Sequence, residues 1–527
     1  MRVFLVLLIL CSTGGSYKIL VYNPKMGHSP SNFLGRIADL LVEAGHDVTS
    51  LIPTLHETVR DGTYKSKIIR IDPHPEVKAF HESTRVNSSM NFFEKSQLNP
   101  IVPFFVGNIF GRSMSMNCRQ TLEYPGLIDR LNNEHFDVMI AENFDMCGIG
   151  ISHVIKPKAL IGASSSFLAH WQYEEFGVPV TLSYRPSPYI GDLDVHSTWS
   201  RLKNAYAELL NRITFRGTRT QIEAIFREKY GVDFPSLQEI SSRVAYVFTN
   251  SEPLIDSAAP TLNRVINIGG LGAKEPATLD KEWEEVLSRR DRTVLISFGS
   301  MAKSVMMPEI IKKSIVKMVT RFPDVTFIWK YEEPEDEFIL EYSSKVSNLV
   351  LTKWMPQSDL LNHERMAAFI SHSGMGSTQE TALRGVPALF IPLYGDQPRN
   401  AGMMVHNGFG KIFDKWQLAD DEKLAEALRE ILENESYKRN AKRVSQMLAN
   451  KPHSPKEEML KYVEFAARFG PSSALRPLSC DMSFIAYHNL DIIVLCFLLV
   501  LFSVYLFSAC LLMVIRILSR RCKRKTD

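Results

Sequence analysis

Ile492–Ile515 is a run of 24 residues without a charge. As a helix it is about 36 Å long, enough to cross a bilayer with some tilt. Asp491 and Arg516 bracket it. No other feature constrains the chain as strongly, because an uncharged run of this length has to find an apolar surround. A buried core helix would not explain the cations beyond its end. From Arg516 to Asp527 there are six of them (Arg516, Arg520, Arg521, Lys523, Arg524, Lys525) and one acid, whereas the flank from Arg476 to Asp491 has a single Arg. The positive-inside rule puts that tail in the cytosol and the body in the lumen. At the other end, Met1-Arg2 precedes an apolar run Val3–Leu10 and then small residues up to Ser16. Too short to span, this stretch reads as a secretory signal. Residues 1–16 are therefore expected as signal, 492–515 as a single type I span and 516–527 as a cytosolic basic tail.

The tail closes on Lys523-Arg-Lys525-Thr-Asp, which resembles the dilysine address for retrieval to the endoplasmic reticulum. It also explains the net charge of +3: the tail carries +5 and Arg2 adds one, which leaves Tyr17–Ile515 at −3. A slightly acidic body argues against a nucleic-acid partner. Of seven cysteines, Cys11 leaves with the signal, Cys496 and Cys510 lie in the membrane and Cys522 is cytosolic. Cys118, Cys147 and Cys480 remain, so at most one disulfide can form in the body. No Cys/His spacing suits a metal. Asn87-Ser-Ser and Asn434-Glu-Ser are N-glycosylation sequons in a luminal context.

The body has the length for two domains. Short β-rich runs alternate with helical patterns, the mark of α/β units with parallel sheets. The first half offers Lys18–Asn23, Asp47–Ile52, Lys67–Ile71, Phe136–Ala141, Lys158–Gly162 and Val244–Asn250. The second offers Thr293–Phe298, Val325–Lys330, Asn348–Lys353, Ala367–Ser371 and Ala388–Pro392. Between the two sets lies Gly269–Pro276, rich in turn formers. The expected layout is a first domain at 17–270, a linker at 271–290, a second domain at 291–450, a terminal helix at 451–470 and a stem at 471–491. Ser454-Pro-Lys-Glu457 is a capping box with Pro at the first helical position, opening a helix to about Phe469. Residues 198–230 read as helices with apolar faces that include Trp199, Leu202, Tyr206, Leu209 and Leu210, and Asn99–Phe110 is apolar. Core packing, a wall for a greasy ligand and contact with the bilayer all fit these two insertions.

Chemistry concentrates in one stretch: Trp354-Met-Pro-Gln357, Ser371-His372-Ser-Gly374-Met-Gly376-Ser377-Thr-Gln-Glu380, then Gly385-Val-Pro387 and Asp396-Gln397. A strand, a turn with two glycines and a helix succeed one another at 367–380. Free N–H groups and the positive dipole end at such a helix start suit a phosphate. His372 at the strand's carboxyl end can hydrogen-bond it, and Ser377 adds a hydroxyl. Glu380 suits a ribose diol, and Asp396-Gln397 suits sugar hydroxyls. Gly374-Met-Gly376 lacks the third glycine of a dinucleotide fingerprint.

Taken whole, the order W-x-x-Q, H-x-G, E, G-x-P, D-Q resembles the signature of the UDP-glycosyltransferases, the superfamily that includes the UDP-glucuronosyltransferases. The resemblance covers nearly the full chain. It implies an α/β GT-B fold, with two Rossmann-like doubly wound domains facing a cleft, the acceptor bound by the first and the nucleotide sugar by the second, plus the C-terminal transmembrane helix. By resemblance Trp354 stacks uracil, Gln357 meets the nucleoside, His372 and Ser377 bind diphosphate, Gly374 lets the backbone approach, and Glu380 binds ribose. Asp396 and Gln397 bind the sugar, and Ser300 in Phe298-Gly-Ser300 is the phosphate-side serine. His28, in the turn after Lys18–Asn23, matches the general base, and Glu142 the carboxylate that orients it, with Asp145 as a substitute. Two departures stand out: Gly376 replaces a frequent Asn, and Glu142 a frequent Asp.

The resemblance further implies an inverting, metal-independent transfer of a glucuronosyl or glucosyl group from a UDP-sugar to hydroxyls of small lipophilic acceptors, as in xenobiotic or endobiotic conjugation. No cofactor is expected, since the UDP-sugar is a co-substrate, and Asp192-Leu-Asp194 reads as a chance D-x-D. The donor's charge is left to the N–H groups and to His372. Thr249 stands where vertebrate members carry an Arg, so UDP-glucose is expected to serve at least as well as UDP-glucuronate. A lipid or sterol glycosyltransferase and a non-catalytic binder of lipophilic ligands are the alternatives. Membrane lipid is an expected partner, and self-association is compatible with the sequence.

Overall fold

In this computed structural model, residues 15–79, 92–272 and 276–523 are described, with side chains up to 520. The signal up to residue 14, the sequon at Asn87 and the end of the dilysine tail lie outside them. The chain divides into two compact units, Met1–Leu475 and Arg476–Asp527.

The first unit holds two all-parallel sheets. One has the order β3-β2-β1-β4-β5-β6-β7, built from β1 (Lys18–Tyr22), β2 (Asp47–Pro53), β3 (Lys67–Ile71), β4 (Val138–Glu142), β5 (Ala159–Ser164), β6 (Tyr246–Thr249) and β7 (Val265–Asn267). The other has the order β10-β9-β8-β11-β12-β13, from β8 (Arg292–Ser297), β9 (Val325–Lys330), β10 (Leu349–Thr352), β11 (Met366–Ser371), β12 (Ala388–Phe390) and β13 (Gly410–Ile412). Every strand found from sequence is present. The edge strands β7 and β13 were not anticipated: each has three residues, and neither sits in a longer apolar run as the three residues of β12 do within Val386–Leu393.

Helices cover both faces of each sheet, so strands are apolar on both sides. In β1, Ile19 and Val21 join one core and Leu20 and Tyr22 the opposite one, as the two-residue alternation of a strand requires. In both sheets the order reverses beside the first strand, which opens a crevice at the carboxyl ends of β1/β4 and of β8/β11. Ligands of open α/β sheets bind in such crevices.

The helix Pro455–Phe469 begins where Ser454 Oγ accepts the Glu457 amide. Its Met459, Val463, Ala466 and Ala467 pack into the core of the first sheet, so the chain returns to its first domain. The expected linker 271–290 is shorter than the sequence suggested. A helix occupies Lys281–Ser288, capped by Asp280, and buries Val286 and Leu287 in the second domain's core. Asp280 followed by two glutamates in the first turn is the start signal that was overlooked. Among the described residues one disulfide forms, Cys118–Cys147. It ties the helix Ile101–Glu123 to the start of the helix Cys147–Ile155. In the second unit, the helix Leu490–Lys523 contains Leu490–Arg520, a stretch long and apolar enough to cross a membrane.

Candidate active site

His28 opens the helix His28–Glu43, just past the carboxyl end of β1. Its ring lies 5.8 Å from the Trp354 ring, centroid to centroid. Trp354 belongs to the second domain, so this contact spans the cleft. Burial, then the charges of Lys330, Arg60 and Lys25, hold the His28 imidazole below its ordinary value. At neutral pH it is unprotonated, the state a general base needs.

Glu142 ends β4, the neighbour of β1, and is 1% exposed. Its Oε1 accepts the amides of Phe144 (3.4 Å) and Ser165 (3.5 Å), and Oε2 has no partner. Burial pushes the carboxyl up to about 8, so it is mostly protonated at neutral pH. Asp145 accepts the Tyr22 hydroxyl (2.9 Å) and the Cys147 amide (2.8 Å) and is pushed up to about 6, again by burial. The expected Glu142–His28 pair is therefore not made in this structure, nor is its Asp145 substitute. The Glu142 carboxyl is held instead by backbone amides of the turns after β4 and β5.

On the donor side, His372 follows β11 and its ring is enclosed by two backbones. A Cβ added to Gly299 or Gly374 would stand 2.5 or 2.6 Å from Nε2. Gly299 also has φ +85°, a conformation that disfavours side chains. Glycine at both positions is what gives the ring room, a packing reason beside the approach of a ligand. Burial, with Lys330 close by, pushes the His372 imidazole down to about 4. His372 is thus a neutral hydrogen-bonding group. The helix Met375–Arg384 starts at Gly374 with no side-chain cap, so its first N–H groups lack a capping side chain. Ser300 sits in the turn after β8, across the same crevice.

Trp354 is 54% exposed. Gln357 Nε2 donates to Glu380 Oε2 (2.6 Å) and to Ser377 Oγ (3.1 Å). These three expected ligands are therefore gathered at one place, with Ser377 accepting from Gln357. Burial raises the Glu380 carboxyl. Asp396 Oδ2 accepts the hydroxyl of Ser166, from the first domain, at 2.7 Å and the Asn400 amide at 3.0 Å. Gln397 Oε1 accepts the Leu393 and Tyr394 amides (2.8 and 3.1 Å). A Cβ at Gly376 would lie 3.4 Å from Ser29 Oγ, so the frequent Asn would point at the first domain here.

Sequence reasoning missed the cations. Lys330 ends β9, is 8% exposed and donates to the Gly299 carbonyl at 2.5 Å. Its Nζ lies 5.6 Å from the Trp354 centroid, and the Arg60 guanidinium lies 5.5 Å from it. Lys330 also forms an ion pair with Glu332 at 3.5 Å. A strand-terminal Lys beside a switch-point crevice was the available signal. Beyond Glu142, half-buried Phe110, Phe144, Trp171 and Phe215 form an aromatic wall, with Trp171 stacked on Phe215 at 5.2 Å and Phe144 against Phe215 at 4.8 Å.

The remaining expectations fall outside the crevices. Thr249 is buried and donates to Asn267 Oδ1 at 2.7 Å. Asp194 turns back on the His196 amide in an exposed loop. Among the described residues no group of three His, Cys, Asp or Glu is gathered for a metal. Asn434 is exposed and caps the helix Glu435–Ala449.

Comparison with known proteins adds the family. The sequence profile of "UDP-glucoronosyl and UDP-glucosyl transferase" matches residues 17–525. A putative UDP-glucuronosyltransferase, ugt-47 of Caenorhabditis elegans, is 31% identical over 495 residues, covering 92% of this chain and 90% of the relative. UDP-glucuronosyltransferase 1A9 of Homo sapiens is 27% identical over 92% of this chain and 89% of its own. Among solved structures, TcCGT1 in complex with UDP superposes with a TM-score of 0.57 at 12% identity, over 86% of this chain and all of that one. The glycotransferase of kitacinnamycin gives 0.54 at 16% identity, covering 86% and 98%. At these identities the two structures speak for the GT-B fold alone.

Proposed function

Because the chain belongs to the UDP-glucoronosyl and UDP-glucosyl transferase family, we propose that it transfers a glucuronosyl or glucosyl group, with inversion, to a hydroxyl of a small lipophilic acceptor. The observation that carries this reading is the approach of His28 to Trp354 across the cleft. It sets an unprotonated imidazole of the first domain against the nucleotide-stacking residue of the second.

In the proposed reaction the acceptor oxygen attacks the anomeric carbon as His28 takes its proton. The bond from that carbon to the diphosphate oxygen breaks, and UDP leaves with the electron pair. An α-linked donor then yields a β-glycoside. Charge developing on the diphosphate meets the N–H groups at the start of Met375–Arg384, the neutral His372, Ser300 and Lys330. Fixed donors and a nearby cation in a desolvated crevice act on the transition state without reorganising. Trp354, Gln357 and Glu380 hold the nucleoside, Ser377 completes their cluster, and Asp396 with Gln397 holds the sugar. The aromatic wall of Phe110, Phe144, Trp171 and Phe215 receives an apolar acceptor.

For the donor we retain UDP-glucose as at least equal to UDP-glucuronate, since the buried Thr249 offers a carboxylate no charge. The apolar helix Leu490–Arg520 supports a membrane-anchored protein. The charge asymmetry around it supports a type I protein with a luminal body, and the Lys523/Lys525 tail supports the endoplasmic reticulum.

The test is a donor-by-acceptor activity matrix on membranes containing the full chain, run with and without EDTA, beside His28→Ala. Wild type should turn over phenolic or alcoholic acceptors with either donor and in EDTA, and His28→Ala should lose turnover while still binding UDP. Equal transfer by the two proteins would remove His28 as the base. Turnover confined to UDP-glucuronate would overturn the donor assignment, and loss of activity in EDTA the metal-independent step.

A further inference from the structure

Phe93 belongs to the first domain by its place in the chain and to the second by its packing. It is buried in the second domain's core, and its ring meets Phe298 edge to face at 5.7 Å. The preceding Phe92 stacks on Tyr394 at 4.0 Å. Lys415, also of the second domain, fastens this segment. Its Nζ donates to the carbonyls of Phe92 at 2.7 Å, Lys95 at 2.5 Å and Leu393 at 2.9 Å, which engages every donor of the ammonium. Burial pushes that group down to about 8, so the fastening is made away from water. On its other side the segment is rooted in the first domain, where the Leu98 carbonyl accepts the Tyr206 hydroxyl at 3.1 Å.

The two residues it grips stand next to the donor ligands. Phe298 leads into Gly299-Ser300, the turn after β8, and Tyr394 precedes Asp396 in the turn after β12. In the order β8-β11-β12 these turns flank the end of β11, where His372 stands. Contacts between aromatic rings are directional, so Phe92 and Phe93 fix the two turns relative to each other and to the first domain. Trp354, Gln357 and Glu380, the nucleoside residues, lie on other connections of the sheet. The sugar connection has a second hold on the first domain. The Pro188 carbonyl accepts the Arg399 amide at 3.3 Å, and a Cβ on Gly402 would stand 1.7 Å from the Gly191 carbonyl oxygen. That hold is separate from residues 92–95, so it keeps the domains together in a protein whose segment is altered.

We infer that Phe92–Lys95 is a strap from the first domain that positions the diphosphate and sugar turns of the second, with Phe93 and Lys415 as positioning residues. The inference rests on the UDP-glycosyl transfer proposed above. The first domain, besides receiving the acceptor, thereby sets the geometry of the donor's reacting end. Phe93 acts through Phe298 on Ser300 and on the Gly299 backbone that encloses His372. Lys415 acts through Leu393 and Phe92 on Tyr394, and so on Asp396 and Gln397. With the strap loosened, the nucleoside is still held, but the anomeric carbon is no longer in line with His28. A misplacement of about 1 Å at a reacting centre costs up to about a hundredfold in rate.

The test uses the full chain in detergent, well below the melting temperature of each variant, with the UDP-sugar and phenol that the activity matrix above turns over fastest. Phe93→Ala and Lys415→Met should each lower kcat by about tenfold to a hundredfold. The Kd of uridine monophosphate and the KM of the phenol should stay within about twofold of wild type, because the binding they report is untouched. Phe93→Leu refills the same space and should recover most of the rate. Lys415→Met removes no core side chain, so it decides the matter if Phe93→Ala does not fold. An undiminished kcat in Lys415→Met, with only its melting temperature lowered, overturns the strap and leaves the glycosyl-transfer reading standing. Affinity for uridine monophosphate that falls in step with kcat also overturns it, since the whole second domain has then loosened. Wild type that transfers no sugar removes the glycosyl-transfer reading and the strap with it.

Discussion

Replacing Lys330 by Met should move the acid limb of the pH–rate profile to higher pH. In the free enzyme, kcat/KM falls as the base is protonated, so its acid limb reports His28. Burial and the neighbouring cations, Lys330 foremost among them, hold that group low. Taking away a positive charge stabilises the imidazolium, so the group rises. The size comes from the geometry. Lys330 Nζ is 5.6 Å and the His28 ring 5.8 Å from the Trp354 centroid, so the two are at most about 11 Å apart. At that distance a unit charge is worth about 0.4 kcal/mol in water and about 1.5 kcal/mol at the effective dielectric of a protein site. The limb should therefore move up by about 0.3 to 1 unit. The measurement is kcat/KM from pH 5 to 8 at low ionic strength, where screening is least. Lys330→Met will also lower the height of the profile by weakening the diphosphate site, but height and limb position are read separately. Lys330→Arg keeps the charge and should leave the limb where it is. A limb that is unmoved or displaced downward in Lys330→Met would refute either the role of His28 or its coupling to Lys330.

Two further outcomes concern stability. Glu142 holds its proton to about pH 8 when folded against an ordinary 4.5, so the native form loses stability as pH rises between those values. Glu142→Gln cannot ionise, and its melting temperature relative to wild type should climb steadily from pH 4.5 to 8; parallel curves would contradict the burial argument. The Cys118–Cys147 bridge joins positions 29 apart, a loop whose closure is worth about 3.6 kcal/mol in the unfolded chain. Cys118→Ala/Cys147→Ala should melt lower in detergent under oxidising conditions, and an unchanged melt would show that the unfolded chain gains nothing from that cross-link.

The amino-acid sequence determined what depends on neighbours along the chain. Strand alternation, the Ser454 cap, the glycine turn before Met375 and the uncharged run after Asp491 are local patterns, and each recurs in the folded chain within a few residues. The motif from Trp354 to Gln397 was legible for the same reason, since its ligands lie on three successive β–α connections of one sheet. Where the signal was too short, as in β7 and β13, it could not be read. What only the tertiary structure decided depends on distance in space and on exclusion of water. His28 and Trp354 meet although more than 300 residues separate them. Lys330 and Arg60 converge on the same ring from different domains. Burial makes His372 neutral and Glu142 protonated. The stripe from Trp199 to Ile213 is the clearest case. Its spacing fits a core, a pocket wall or a membrane face alike, because periodicity fixes only which residues share a side. Which side faces water is settled by the packing of Gly107 and Gly111 on Thr214 and Thr218, and that packing leaves Trp199 outside.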